Sequence, residues 1–179
     1  MIQIDDPLTE LVAAANAVLR PDPVVTTASP RIAIKTVSVE QMLCDGKALF
    51  DSHWNETANY VGVAGVKLDV EVYRTLEAQK LLLLIAVYMG DEMVGYSINI
   101  VLPNQFSQDM SLCRNDAFFV SPRWRRTRVP VRLLRETESQ AKTRGAVRMV
   151  WAVTATSPMA GWLPRLGYGQ EEIVFTKEI

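Results

Sequence analysis

Cysteine, histidine and long apolar runs are all scarce in this chain, and each scarcity closes off a class of function. Only Cys44 and Cys113 occur among 179 residues. They lie far apart and outside any C-x-x-C spacing, so neither a disulfide framework nor a zinc site is expected, and both are read as reduced, small core residues. His53 is the sole histidine; with Glu56 it offers too few ligands for a metal ion, and no second pair exists. The apolar run Leu81 to Met89 is too short to cross a bilayer. The opening Met1-Ile2-Gln3-Ile4-Asp5-Asp6 lacks a basic start followed by an apolar run, so a cytoplasmic location and no membrane partner are expected. No internal repeat or low-complexity tract breaks the chain.

What is present fits one ordinary folded domain. Apolar residues make up 49% and charged residues 22%, and a chain of this length buries roughly 70% of its unfolded surface. The formal net charge of −1 conceals a local excess: six arginines (123, 125, 126, 128, 132 and 135) fall within thirteen residues that contain no acid.

Leu8, Leu11, Val12, Ala15, Val18 and Leu19 recur at helical spacing, which predicts an amphipathic helix over residues 6–19. Pro21, Pro23 and Pro30 then keep the chain extended, so residues 1–30 read as a helix plus linker and 31–179 as the domain proper. The helix's apolar stripe must be buried somewhere, and a homo-oligomer formed through residues 6–19 is one way to do it.

Within the domain, Ile32, Ile34 and Val37 suggest a first strand, followed by helical stretches over 38–58 and 69–80. Leu81 to Met89 and the alternating Val94, Tyr96, Ile98 and Ile100 flank Gly90-Asp91, which predicts an antiparallel hairpin. Asn115 to Val120 reads as another strand. Pro130 to Arg144 reads as a helix that Gly145 stops, and Val147 to Val153 as the next strand, which together require a right-handed parallel crossover. Ser157 and Pro158 start a short helix ended by Gly167, and Ile173 to Lys177 forms a last strand. The fold class is α/β (α+β), a mixed sheet flanked by helices.

The stretch Phe118-Phe119-Val120-Ser121-Pro122-Arg123-Trp124-Arg125, then Leu133-Leu134, Glu138, Ala141 and Gly145, resembles the cofactor motif of the GNAT family of acyl-CoA-dependent N-acetyltransferases. Leu163-Pro164-Arg165-Leu166-Gly167-Tyr168 before the terminal strand is similar to that family's closing motif. His53-Trp54-Asn55-Glu56, the Asp116 to Val120 strand and Leu166-Gly167-Tyr168 look most like GNAT-like proteins encoded by bacteriophages, which implies a host cytoplasm. The resemblance implies acetyl-CoA as co-substrate, held along Phe118, Phe119 and Val120 and by Arg125, Arg126, Thr127, Arg128, Val129 and Val131. It implies an amine-bearing acceptor, a small molecule or a protein, with a base among Glu56, Asp116 and His53.

The chain departs from the family pattern in two places. The loop Arg125-Arg126-Thr127-Arg128-Val129-Pro130 lacks both of the family's glycines, and Pro130 removes an N–H donor at the helix start. A tyrosine that often serves the family as general acid falls at Leu163, which transfers no proton.

Each candidate also has a plainer role. The arginine cluster, at a helix N-terminus, suits coenzyme A phosphates or nucleic-acid phosphates, or else is a solvated face paired with Glu136 and Glu138. His53 and Glu56 share a helix face, so His53 is either a base or a packing partner with Trp54. Alternation puts Asp116 on the same face as Phe118 and opposite Phe119, either to attract an amine or to hold Arg114 or another arginine. Tyr96 and Tyr168 read as half-buried aromatics, and Pro103 to Leu112 as a polar loop that either covers the acceptor or simply connects strands. Two readings stay open: an N-acetyltransferase, and a non-catalytic module of the same fold that binds a protein or nucleic acid through its N-terminal helix or arginine-rich loop.

Overall fold

The computed structural model describes residues 31–61, 68–104, 107–154, 156–174 and 177. Ile32–Ile179 forms one compact unit; the helix expected over 6–19 lies outside the described residues. In the second unit a five-stranded sheet runs β1 (Ile32–Thr36), β2 (Leu82–Met89), β3 (Glu92–Asn104), β4 (Ser107–Val120) and β5 (Ala146–Trp151), in that spatial order. Neighbours are antiparallel except β4 and β5, which are parallel. Helix α3 (Val129–Thr143) makes the crossover between them, as the sequence requires. Helices α1 (Val39–Val61) and α2 (Val70–Ala78) precede β2, and the short α4 (Pro158–Trp162) follows β5.

β2 is apolar throughout because both of its faces are covered. Leu82, Leu84, Ala86 and Tyr88 join a core with Val39, Met42 and Leu49 of α1, against which Val70, Tyr73 and Leu76 of α2 also pack. Leu83, Ile85 and Val87 join a second core with Val129, Leu133 and Ala141 of α3. The sheet is therefore the middle of three layers, with α1 and α2 on one side and α3 on the other.

Local signals set the helix ends. Ser38 Oγ accepts from the Gln41 N–H at 3.2 Å before α1, and Asp69 caps α2 by accepting from the Val72 N–H. Gly145 ends α3 at φ 85°, a conformation costly for a residue with a Cβ.

Four expectations are corrected. Cys44 is exposed on α1 rather than a core residue, while Cys113 is buried. The stretch 103–112 is not a loop: Pro103 pairs with Ser111 and Asn104 with Ser107, so β3 and β4 form one long hairpin. Polar residues obscured it because backbone pairing at an exposed sheet end needs no apolar side chain. The last strand over 173–177 does not form among the described residues; Ile173 and Val174 carry no regular structure and are each 72% exposed. Residues 175–176 lie outside the described set. Tyr96 is fully buried at 1% exposure, not half-buried, because Phe50, His53 and Phe119 enclose its ring.

Candidate active site

The site is built where β4 changes its pairing. Ile98 faces Ala117 and Asn99 faces Asn115, so Asp116 is the extra residue of a β-bulge. Buried Asn115 pins the bulge: its Nδ2 lies 3.1 Å from the Ile98 carbonyl oxygen, 3.0 Å from that of Ala117 and 2.9 Å from Asn99 Oδ1. A bulge reverses the side-chain alternation beyond it. Asn115 meets Ser97 and Asn99 on the α3 side, whereas Ala117 and Phe119 pack in the core under α1 and α2. Asp116 is directed to that same side, where its Oδ2 accepts from the Tyr73 hydroxyl of α2 at 2.9 Å. The expected placement with Phe118 and against an arginine is thus corrected; the bulge puts Asp116 on the Phe119 side, and its partner is a tyrosine. Burial raises the Tyr73 pKa well above its ordinary value, with the Asp116 charge adding to the shift, so Tyr73 stays a neutral donor.

Beyond Asn115 and Trp151, β4 and β5 are no longer paired. Residues 116–120 of β4 therefore have no strand on that edge among the described residues. The Ser121 N–H donates across to the Val94 carbonyl at 2.9 Å, and strand geometry then turns the N–H groups of Phe118 and Val120 toward the open edge. Phe118 meets the Trp151 ring edge-on at 5.5 Å. Trp151, at the parting of the strands, also meets the Tyr168 ring edge-on at 6.4 Å.

Arg125 is held within the protein. Its Nε donates to the Val120 carbonyl at 2.7 Å, its Nη2 donates to both carboxylate oxygens of Glu56 at 2.8 Å, and the guanidinium lies 5.0 Å from the centre of the Phe119 ring. His53, one helical turn before Glu56, stacks on the Phe119 ring with 4.7 Å between ring centroids. Its Nδ1 is 2.7 Å from the Tyr96 hydroxyl. The direction of that hydrogen bond follows the tautomer of the ring. Desolvation holds the His53 pKa below its ordinary value; Glu56 opposes this and Arg125 adds to it.

The turn after β4 leads into α3. Thr127 Oγ1 accepts from the Val129 N–H at 3.2 Å, and the Arg132 N–H donates to the Arg128 carbonyl. The N–H groups of Arg126, Arg128 and Val131 have no protein partner among the described residues, as expected at a helix start. The arginines do not pair with Glu136 or Glu138: Glu136 accepts from Gln140 at 2.8 Å and Glu138 from the Tyr168 hydroxyl. Leu163 is buried.

The structure thus gathers His53, Glu56, Phe119 and Arg125 into one cluster, and places Asp116 with Tyr73 on the same side of the sheet. Sequence reasoning missed Tyr73, Tyr96, Asn115 and Trp151. Only the last pair had a signal, a polar residue inside a strand and an aromatic at its end.

No family model matches the chain, and no curated protein matches it. Solved structures do. An aminoglycoside acetyltransferase from an uncultured soil metagenomic sample has a TM-score of 0.66 at 17% identity, covering 83% of this chain and 99% of its own. The aminoglycoside N-acetyltransferase AAC(6')-Iy in complex with CoA has a TM-score of 0.67 at 14% identity, covering 87% and 99%. The ribosomal-protein-alanine N-acetyltransferase from Brucella melitensis has a TM-score of 0.63 at 13% identity, covering 83% and 99%. The chain has the acyl-CoA N-acyltransferase fold.

Proposed function

We propose that the chain is an N-acetyltransferase that moves the acetyl group of acetyl-CoA to the amine of an acceptor. The parted strands carry this reading: a row of strand peptides faces an open edge and leads directly to the unpaired N–H groups that begin α3. That donor set fits the ligand. The N–H groups of Phe118 and Val120 suit the amide-bearing arm. The N–H groups and guanidiniums of Arg126 and Arg128, with the Val131 N–H, suit the phosphates. Thr127 and Val129 order that turn through their own hydrogen bond. Arg125 acts from behind, bracing Val120 and Phe119, since its donors are already engaged.

Acetyl-CoA supplies the activated acetyl group. The attacking amine must lose a proton, and of the three candidate groups Asp116 is suited to take it, directly or through water. Glu56 is neutralised by Arg125, and His53 is engaged with the Tyr96 hydroxyl through Nδ1 and stacked on Phe119. Asp116 is exposed, and its Oδ1 has no partner among the described residues. The negative charge that develops on the carbonyl oxygen meets the strand-edge N–H groups. The C–S bond then breaks and the thiolate takes a proton from water, because Leu163 offers none; a thiol of ordinary pKa, about 8.5, is a tolerable leaving group without an acid. The acceptor is an amine, as in the structural relatives that act on aminoglycosides or a ribosomal protein. The resemblance of residues 53–56 and 116–120 to bacteriophage proteins supports a phage origin and action in a host cytoplasm.

The test is thermal unfolding of the full chain with and without acetyl-CoA. A ligand that binds only the native state stabilises it by about 2.7 kcal/mol at a hundredfold excess over Kd. Acetyl-CoA should raise Tm, and R126A/R128A should remove the shift. No shift at low salt and millimolar ligand would refute the reading.

A further inference from the structure

Helix α3 buries Val129, Leu133, Leu134, Thr137 and Ala141, which fixes the face turned to the sheet. At 3.6 residues per turn, Arg128, Arg132, Arg135 and Lys142 fall along one stripe on the opposite side, with Ser139 in the remaining position. All four cations are exposed. None has an acidic partner among the described residues, and the two carboxylates of α3 are engaged by Gln140 and Tyr168. Exposed Arg123 and Arg126 extend the positive charge into the preceding turn. Elsewhere Arg74, Arg125 and Arg148 form ion pairs, whereas here four cations in a row are left without one among the described residues. A chain with net charge −1 has acids enough; they are placed elsewhere.

One phosphate group at the start of α3 cannot use this array. A helix rises 1.5 Å per residue, so Arg135 lies about 10 Å and Lys142 about 21 Å beyond Arg128. We propose that the outer face of α3, from Arg128 through Arg132 and Arg135 to Lys142, docks the phosphate backbone of a nucleic acid. A linear row of cations matches a linear polyanion, and three of the four are guanidiniums, whose planar forks suit phosphate oxygens. The stripe carries no apolar residue to enter a lipid interface, which disfavours a membrane surface. Only Arg128 is shared with the acetyl-CoA phosphate site; Arg132, Arg135 and Lys142 lie beyond it on the far side of α3 from the sheet, so the surface operates whether or not the catalytic reading holds.

The test is fluorescence anisotropy of the full chain with a fluorescein-labelled DNA duplex of mixed sequence, a single-stranded RNA as a second probe, and phosphatidylserine vesicles as a third. Four phosphate contacts predict a log K against log salt slope of about −3 to −4 on the duplex. R132E/R135E, two surface changes that should leave Tm and the acetyl-CoA shift intact, should weaken binding by about tenfold or more. Binding to either nucleic acid that the variant loses supports the proposal, and the stronger probe identifies the source. No binding at low salt, binding that the variant retains, or binding to vesicles alone overturns it. Loss of the acetyl-CoA shift with nucleic-acid binding intact would sink only the catalytic reading.

Discussion

Arg125 and Glu56, 69 positions apart in sequence, meet with one guanidinium nitrogen 2.8 Å from each carboxylate oxygen. Because Arg125 also holds the Val120 carbonyl, the contact ties α1 to the end of β4 and to the aromatic ring between them. Arg125 is thereby a bracing residue on the path from strand to helix, which in the proposed acetyl-CoA site leaves the phosphate contacts to Arg126 and Arg128.

The pair is about two-fifths exposed on each side, so solvent screening keeps its worth small. Glu56→Gln should cost under about 1 kcal/mol in urea unfolding. Arg125→Ala also frees the Val120 carbonyl and should cost about 1–3 kcal/mol. The double variant should show a coupling of about 0.5 kcal/mol or more; strict additivity would dissolve the brace.

His53 is the only histidine, so its ring protons can be followed by NMR without assignment. It should titrate below 6.5, the ordinary histidine value, because desolvation disfavours its charged form. Glu56→Gln should lower that pKa further and Arg125→Gln should raise it, since the two charges act in opposite directions. For a group whose folded pKa is depressed, the unfolded chain binds more protons in the window below 6.5. Its stabilisation is therefore complete above that value and is lost as pH falls through the folded pKa. A ring titrating at or above 6.5 would contradict this environment.

Asp116→Asn should lower kcat by about a hundredfold to ten-thousandfold, the usual loss for a general base, with Tm little changed at this exposed site. Tyr73→Phe removes one hydrogen bond to the carboxylate and should cost about tenfold. Turnover of Asp116→Asn at the wild-type rate would remove Asp116 from the chemistry.

Gly95 lies on β3 opposite Val120, where a Cβ would sit 2.8 Å from the Phe119 carbonyl oxygen and 3.0 Å from Val87 Cγ1. Backbone cannot give way as a side chain does. Gly95→Ala should cost about 1–3 kcal/mol and weaken the acetyl-CoA shift, because moving Phe119 moves the peptides of Phe118 and Val120. Unchanged stability in this variant would mean that the two strands can separate freely here.

The mixed sheet flanked by helices, the parallel crossover and the position of the arginine-rich junction were all legible in sequence. The apolar run over 81–89 marked one arm of a hairpin, and Pro130 with Gly145 bracketed α3, because periodicity and turn chemistry are local properties. Tertiary structure decided what the candidate residues do. The bulge at Asp116 turned its side chain to the opposite face, and no local pattern announces a bulge, since it is defined by the partner strand's register. Glu56 and Asp116 looked equivalent as acids until folding brought Arg125 to one and Tyr73 to the other. The arginines could be counted in the chain, yet which of them face a ligand and which a neighbouring carboxylate depends on contacts across 69 positions. Sequence set which charges were available; the packing of α1 against β4 set which of them remain free.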